Sequence, residues 1–195
     1  MTLPSEFDNK FFPIGRAFIN QSITDFINTY LHPEDLICDI GNQGKNIPEL
    51  SGRPRKLVTL DITADTSPDI VADITRTNAH IRENYFDALL CTEVLEHVVE
   101  PFAAVRELAR IVKVGGYILI TTPLNCRIHG PVPDCWRFTE FGLKVLLRDF
   151  EIVSFRRLDT PDRNLFPLEY SVIVKKVNDM LRESDPREMR FQRVQ

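Results

Sequence analysis

Tryptophan occurs once in this chain and cysteine four times. The cysteines, Cys38, Cys91, Cys126 and Cys135, are too few and too scattered for a disulfide scaffold. Cys38 and Cys91 close apolar runs and read as small buried hydrophobes. No apolar run approaches the roughly 20 residues that cross a bilayer. The opening stretch MTLPSEFDNKFFPIG has acidic residues early and no unbroken apolar core, so it does not read as a signal peptide. These absences point to a reduced, cytoplasmic protein without a membrane span. Charge of one sign is also lacking. A net charge of -4 offers no broad electrostatic grip on nucleic acid. Glycine is sparse where it would be most informative: DIGNQGKN, residues 39–46, has only Gly41 and Gly44.

What is present is an ordinary globular composition, 43% hydrophobic and 27% charged over 195 residues. That suffices for one domain with a full core. The expected division is a single domain over 1–177 with an N-terminal helix, followed by a charged tail over 178–195. The tail carries charges of both signs and Pro186, and reads as a solvated helix or a disordered segment, suited to a homodimer contact or a protein partner. Phe18, Ile19, Ile23, Phe26, Ile27 and Leu31 recur at helical spacing and predict a helix over 16–31, ended by His32-Pro33. Short apolar strands follow at DLICDIG, RKLVTLDI, PDIVADI and YFDALLCTEV. VEPFAAVRELARIVKVGG reads as a helix with Pro101 in its first turn and Gly115-Gly116 as its stop. YILITTP is a fifth strand, ended by Pro123. A helix over 139–148 and strands FEIVSFRRL and YSVIVKKV complete the series.

Near-continuous apolar strands separated by connections indicate a mostly parallel sheet covered on both faces. The fold class is therefore α/β, doubly wound and seven-stranded. The last two strands are joined by residues 158–169 without a helical pattern, which predicts an antiparallel strand at one sheet edge. In such sheets ligands lie beyond the carboxyl ends of the strands. Asp39, Asp61 and Asp73 end three successive strands. Each alone also suits a helix cap; together they favour ligand binding. Asp61, 22 residues after Asp39, stands where a carboxylate grips ribose hydroxyls, and Asp73 can accept from an exocyclic amine. Gly41 and Gly44 allow close backbone approach.

LICDIG, LDI, DIVADIT and FDALLCTEVLEHVVEPFAAVRELARIVKVGGYILITTP together resemble the class I S-adenosylmethionine-dependent methyltransferases, over about residues 34–155. HGPVPDCWRFTEFGLKVLL is further similar to members associated with polysaccharide or glycoconjugate synthesis. The resemblance implies a Rossmann-like methyltransferase fold, S-adenosylmethionine as cofactor and a small-molecule acceptor such as a sugar. The family has glycines where Gln43 and Lys45 stand here. The candidate cofactor set is Asp39, Gly41, Asn42, Gln43, Asp61, Ile62, Asp73, Ile74, Cys91, Thr92 and Glu93.

Methyl transfer to an alcohol needs a base. His97, just past the fourth strand, is the candidate, since histidine titrates near neutral pH; packing against the cofactor loop suits it better still. Arg127, His129, Asp134, Trp136 and Arg137 form a candidate substrate loop stiffened by Pro131 and Pro133. There Trp136 would stack on a ring and the arginines would pair with a phosphate or carboxylate. Cys126, His129 and Cys135 match no familiar zinc spacing, so no metal is expected. Two alternatives remain at this point. One is a non-catalytic binding or assembly module on the same fold. The other is a nucleotide-dependent oxidoreductase, for which the first loop lacks G-x-G-x-x-G.

Overall fold

The computed structural model describes residues 4–41 and 56–178. Asn42, Gln43 and the tail, on which several expectations rested, lie outside the described residues. The described chain begins with helix α1 (Glu6–Tyr30). Strands β1 (Leu36–Ile40), β2 (Lys56–Asp61), β3 (Ile70–Val71) and β4 (Phe86–Thr92) follow, then helix α2 (Pro101–Ile111), strand β5 (Val112–Pro123), helix α3 (Glu140–Leu146), and strands β6 (Glu151–Leu158) and β7 (Glu169–Lys175).

Helix α1 starts well before the expected Arg16. Its first turn is a capping box: the Asp8 amide donates to Ser5 Oγ and the Ser5 amide donates to Asp8 Oδ2, at 3.2 and 2.8 Å. Each side chain thereby satisfies an amide that has no partner within the helix. Pro13 sits inside the helix, where it removes one backbone hydrogen bond. That proline and the polar run ahead of it hide the first turns from a periodicity argument.

The seven strands form one sheet in the order β3-β2-β1-β4-β5-β7-β6. Neighbours from β3 through β5 are parallel. Strand β7 is antiparallel to both β5 and β6. The last two strands thus form the expected antiparallel pair at one sheet edge, with β7 one position in and β6 at the edge itself. Alternation along β4 serves both faces. Leu90 packs with Ile19, Ile23, Phe26 and Ile27 of α1 on one face. Leu89 packs with Leu108 of α2 and Leu143 of α3 on the other. Cys38 and Cys91 are both fully buried, as their apolar neighbours implied.

The double glycine does not close α2. That helix ends at Ile111, and the chain passes directly into β5. Gly115 has φ +84°, and a Cβ on Gly116 would lie 2.6 Å from the Asp87 carbonyl oxygen. The glycines therefore serve an irregular close approach of β5 to β4, where the pairing register shifts between Phe86 and Ala88. No helix among the described residues is long and apolar enough to cross a membrane.

Candidate active site

The strand order reverses between β1 and β4, which pair side by side. Their carboxyl ends carry Asp39-Ile40-Gly41 and Thr92-Glu93. A ligand crevice is expected at such a switch point, and a cavity of about 710 Å³ lies there. Asp39, Gly41, Thr92 and Glu93 line its floor, His97 and His129 one side, and Phe7, Phe11 and Arg16 of α1 another. Asp39 is 4% exposed.

Two backbone features shape the floor. Gly41 has φ +71°, and a Cβ there would approach Val94 Cγ2 to 2.7 Å. Glycine is required for both reasons. Glu93 also adopts a positive φ, 57°, which is uncommon for a non-glycine residue and concentrates at functional sites. Its backbone N–H donates to the Thr121 carbonyl at 3.1 Å, and the Thr121 hydroxyl donates to Glu93 Oε1 at 2.9 Å. The carboxylate is thereby held at the cavity.

The segment Glu96–His97 and the loop over 126–138 are clasped together. The Glu96 carbonyl accepts from the amides of Cys135 and Trp136, at 2.7 and 3.1 Å. His97 Nδ1 lies 3.0 Å from the Pro133 carbonyl oxygen, to which an Nδ1 proton donates, and Nε2 lies 3.7 Å from Glu96 Oε1. Trp136 Nε1 donates to the Val98 carbonyl at 2.8 Å. Asp134 and Arg137 make a two-pronged ion pair, one arm at 2.7 Å, and the Arg137 guanidinium also donates to the carbonyls of Cys126, Arg127 and Trp136. Its donors hold the loop's own carbonyls, so Arg137 is the core of the loop rather than an open anion fork. The Arg137 guanidinium holds the Asp134 carboxyl down at about 2.

The remaining candidates divide. Arg127 faces α1, with Nη1 3.6 Å from Asp8 Oδ2. Trp136 stacks on Phe138 with ring centroids 6.1 Å apart. Asp61 Oδ1 accepts from the Thr63 amide at 3.0 Å, and Asp73 Oδ1 from Thr75. Both are turn-forming bonds, and Asp73 Oδ2 also lies 3.4 Å from Arg76 Nε. Ile62 is largely exposed, whereas the side chains of Ile74 and Cys91 are buried in the core. Arg127, Asp134, Trp136 and Arg137 do not line the cavity themselves; His129 alone of the substrate set does.

The sequence reading missed Glu169. It begins β7, pairs with Pro123 and is 5% exposed, yet lines the cavity. An acidic residue directly before the apolar run YSVIV was the available signal. The aromatic wall from α1 was also missed, although Ser5-x-x-Asp8 announced that helix. Burial, and then the neighbouring Glu93, push the Glu169 carboxyl well above its usual range. Burial and Glu93 likewise raise Glu96 to about 9. The ligand atoms of Glu96, His97 and His129 lie within 4.8 Å of one another. Among the described residues this group shares only His129 with the Cys126–His129–Cys135 group weighed from the sequence.

Residues 39–120 match a family described as "Methyltransferase domain". Among curated proteins the chain is similar to a ubiquinone biosynthesis O-methyltransferase of Alkalilimnicola ehrlichii, 41% identical over 66 residues, 34% of this chain and 24% of that protein. A protein of the same description from Nitrosomonas europaea is 42% identical over 67 residues, 34% of this chain and 26% of that protein. The chain therefore spans about a quarter of the length of these curated relatives. Among solved structures it resembles a SAM-dependent methyltransferase from Methanosarcina mazei, with TM-score 0.60, 22% identity and 78% and 97% of the two chains covered. It also resembles one from Archaeoglobus fulgidus, with TM-score 0.62, 18% identity and 87% and 98% covered. The likeness to both structures is one of fold, a seven-stranded mostly parallel sheet with helices on its faces.

The site fits S-adenosylmethionine, the cofactor that this family implies. Gly41 offers unobstructed backbone, and the cavity is large and carboxylate-lined, which complements a ligand bearing a sulfonium and an ammonium.

Proposed function

We propose that the protein transfers a methyl group from S-adenosylmethionine to a small-molecule acceptor, in the cavity between the ends of β1 and β4 and the amino-terminal half of α1. The observation that carries this reading is the joint position of Gly41, Asp39 and Glu93 at the sheet's switch point, against a cavity with a separate aromatic and histidine-lined side. When bound, the cofactor supplies an electrophilic methyl group. The protein's own tasks are to hold the acceptor in line, exclude water and receive a proton.

In this reading Asp39, Gly41, Thr92 and Glu93 hold the cofactor, with Asp61 gripping ribose and Asp73 facing the base. His97 is the proton acceptor for a hydroxyl nucleophile: its Nδ1 is committed to Pro133, and its Nε2, 3.7 Å from Glu96 Oε1, is the nitrogen left to accept. Phe7, Phe11 and Phe12 form the acceptor wall. The curated relatives are O-methyltransferases by name, and HGPVPDCWRFT resembles a glycoconjugate-linked subgroup. A sugar hydroxyl is consistent with both. The cytoplasm, where S-adenosylmethionine is made, is the compartment for this activity.

Isothermal calorimetry with S-adenosylhomocysteine tests the reading. Saturable one-to-one binding that is lost in Gly41→Val is expected. Absence of binding to the wild-type protein overturns it, and would leave a binding or assembly module on a methyltransferase fold.

A further inference from the structure

Three side chains beside the cavity are arranged as ligands. The Glu96 carboxyl is 0% exposed. Its own backbone amide approaches it, but neither oxygen has a hydrogen bond of good geometry. A carboxyl in that state is costly to bury and calls for an explanation. His97 Nε2 lies 3.7 Å from Glu96 Oε1, too long for a hydrogen bond. The His129 ring meets the His97 ring edge-on, with centroids 4.9 Å apart. One ligand atom from each of the three residues lies within 4.8 Å of the other two. Sequence spacing hides this set, because His129 joins it only where the Glu96 carbonyl clasps the loop over 126–138.

Each imidazole is held from behind by one ring nitrogen. His97 Nδ1 is 3.0 Å from the Pro133 carbonyl oxygen. His129 Nδ1 is 3.2 Å from the Arg127 carbonyl oxygen and 3.3 Å from Asp134 Oδ2. In both rings an Nδ1 proton thus has an acceptor, and Nε2 is the nitrogen left with a lone pair. A carbonyl or carboxylate behind a ligating imidazole fixes its tautomer and its orientation, as in metal sites. Asp134 is anchored in turn by Arg137, whose charge it offsets. The two histidines line the cavity while the carboxyl lies behind them, so an ion reaches Glu96 between the rings. Zinc binds imidazole nitrogen and carboxylate oxygen at about 2.0–2.2 Å, so two ligands of one ion stand roughly 3–4 Å apart. The Glu96–His97 pair already has that spacing. Two imidazoles favour zinc and its transition-metal neighbours over Mg²⁺ or Ca²⁺, which take oxygen ligands.

We propose that Glu96, His97 and His129 form a binding site for a divalent transition-metal ion of the Zn²⁺ class, with its open coordination position toward the cavity. Two histidines, one glutamate and an open position is a catalytic rather than a structural zinc pattern. The site goes beyond the methyltransferase reading and does not depend on it. The two meet at one atom. Ion and proton compete for His97 Nε2, so the metal-free chain is the form in which His97 receives the acceptor's proton.

The test titrates Zn²⁺ or Co²⁺ into the full chain after treatment with EDTA and its removal by dialysis. Calorimetry reads Zn²⁺, and visible absorption reads Co²⁺. The expected result is saturable one-to-one binding, with the spectrum of cobalt held by nitrogen and oxygen. Glu96→Gln and His129→Gln should each lower the affinity by about a hundredfold or more, since even a group behind a ligand contributes about 10–100-fold. Asp134→Asn, which acts through His129, should lower it by about tenfold. His80→Ala, at an exposed histidine elsewhere, should bind as the wild type does. Far-ultraviolet dichroism in EDTA checks that each variant is folded. Absence of saturable binding by the wild-type chain overturns the proposal, and so does unchanged affinity in folded Glu96→Gln or His129→Gln. A sulfur-to-cobalt band that Cys126→Ser removes also overturns it, since it would move the ion to the thiol beside His129. S-adenosylhomocysteine binding is measured separately, in EDTA. Its absence would mark failure of the methyltransferase reading and leave the metal site standing.

Discussion

At the scale of single residues, Gly41 and Glu96 carry opposite lessons. Gly41 is set by backbone geometry. Valine there would need a positive φ and would place Cβ 2.7 Å from Val94 Cγ2. Gly41→Val should cost roughly 1–3 kcal/mol of stability from backbone strain and reduce S-adenosylhomocysteine affinity at least a hundredfold in calorimetry, with the far-ultraviolet dichroism of the sheet retained. Glu96 is set by burial. Its carboxyl, 0% exposed, is raised to about 9 by burial and by Glu93. A group whose folded pKa is raised contributes stability fully below its unfolded value, and that contribution is lost as pH rises through the folded one. Wild-type stability should therefore fall between about pH 4.5 and pH 9. Glu96→Gln, which stays neutral, should unfold at higher urea than wild type at pH 8, with the gap closing toward pH 5. The three strand-end aspartates were legible because an aspartate at the end of an apolar strand stands out. Glu169 was not, because Glu93, the carboxyl it meets, lies 76 positions earlier in sequence, just past β4, and nothing local announces such a meeting.

At the scale of elements, α1 and the loop over 126–138 depart most from what periodicity conveys. The core half of α1 was readable from Ile19, Ile23, Phe26 and Ile27, because burial against the sheet demands helical spacing. The cavity half was not, since its aromatic residues face a ligand space and alternate with polar residues around Pro13. Phe7→Ala with Phe11→Ala should raise the acceptor KM severalfold and leave S-adenosylhomocysteine binding within twofold, because these rings touch the cavity but not Gly41 or Asp39. The loop was expected to offer arginines to a substrate. Instead Arg137 spends its donors on Asp134 and on carbonyls of the loop. The Asp134 pKa is lowered to about 2. A depressed carboxyl contributes stability above its unfolded pKa and loses it as pH falls through the folded value. Asp134→Asn should accordingly be less stable than wild type at pH 6, in chemical unfolding, and the difference should shrink between about pH 4 and pH 2.

At the scale of the whole molecule, the sheet order decides where chemistry sits. The alternation of strands and connections made a mostly parallel sheet readable, since strands covered on both faces must be apolar throughout. The antiparallel pair at the edge was readable too, but not the order within it, because β7 slots between β5 and β6 through contacts distant in sequence. The cavity touches α1, β1, β4, β5 and β7 at once, so a ligand that fills it links most of the fold. S-adenosylhomocysteine at a hundred times its dissociation constant should stabilise the folded chain by about 2.7 kcal/mol, seen as a higher melting temperature by calorimetry, while NADH at the same concentration should leave the melt unmoved.

The cavity's outer wall and its floor come from different parts of the chain. The floor belongs to strands that cannot change without disturbing the sheet. The wall belongs to the first turns of α1, ahead of the residues that anchor that helix to the core. Residues 6–16 are thus an exchangeable cassette. Grafting the corresponding turns from a related domain should redirect which acceptor enters, while the methyl-donor half of the reaction carries on unaltered.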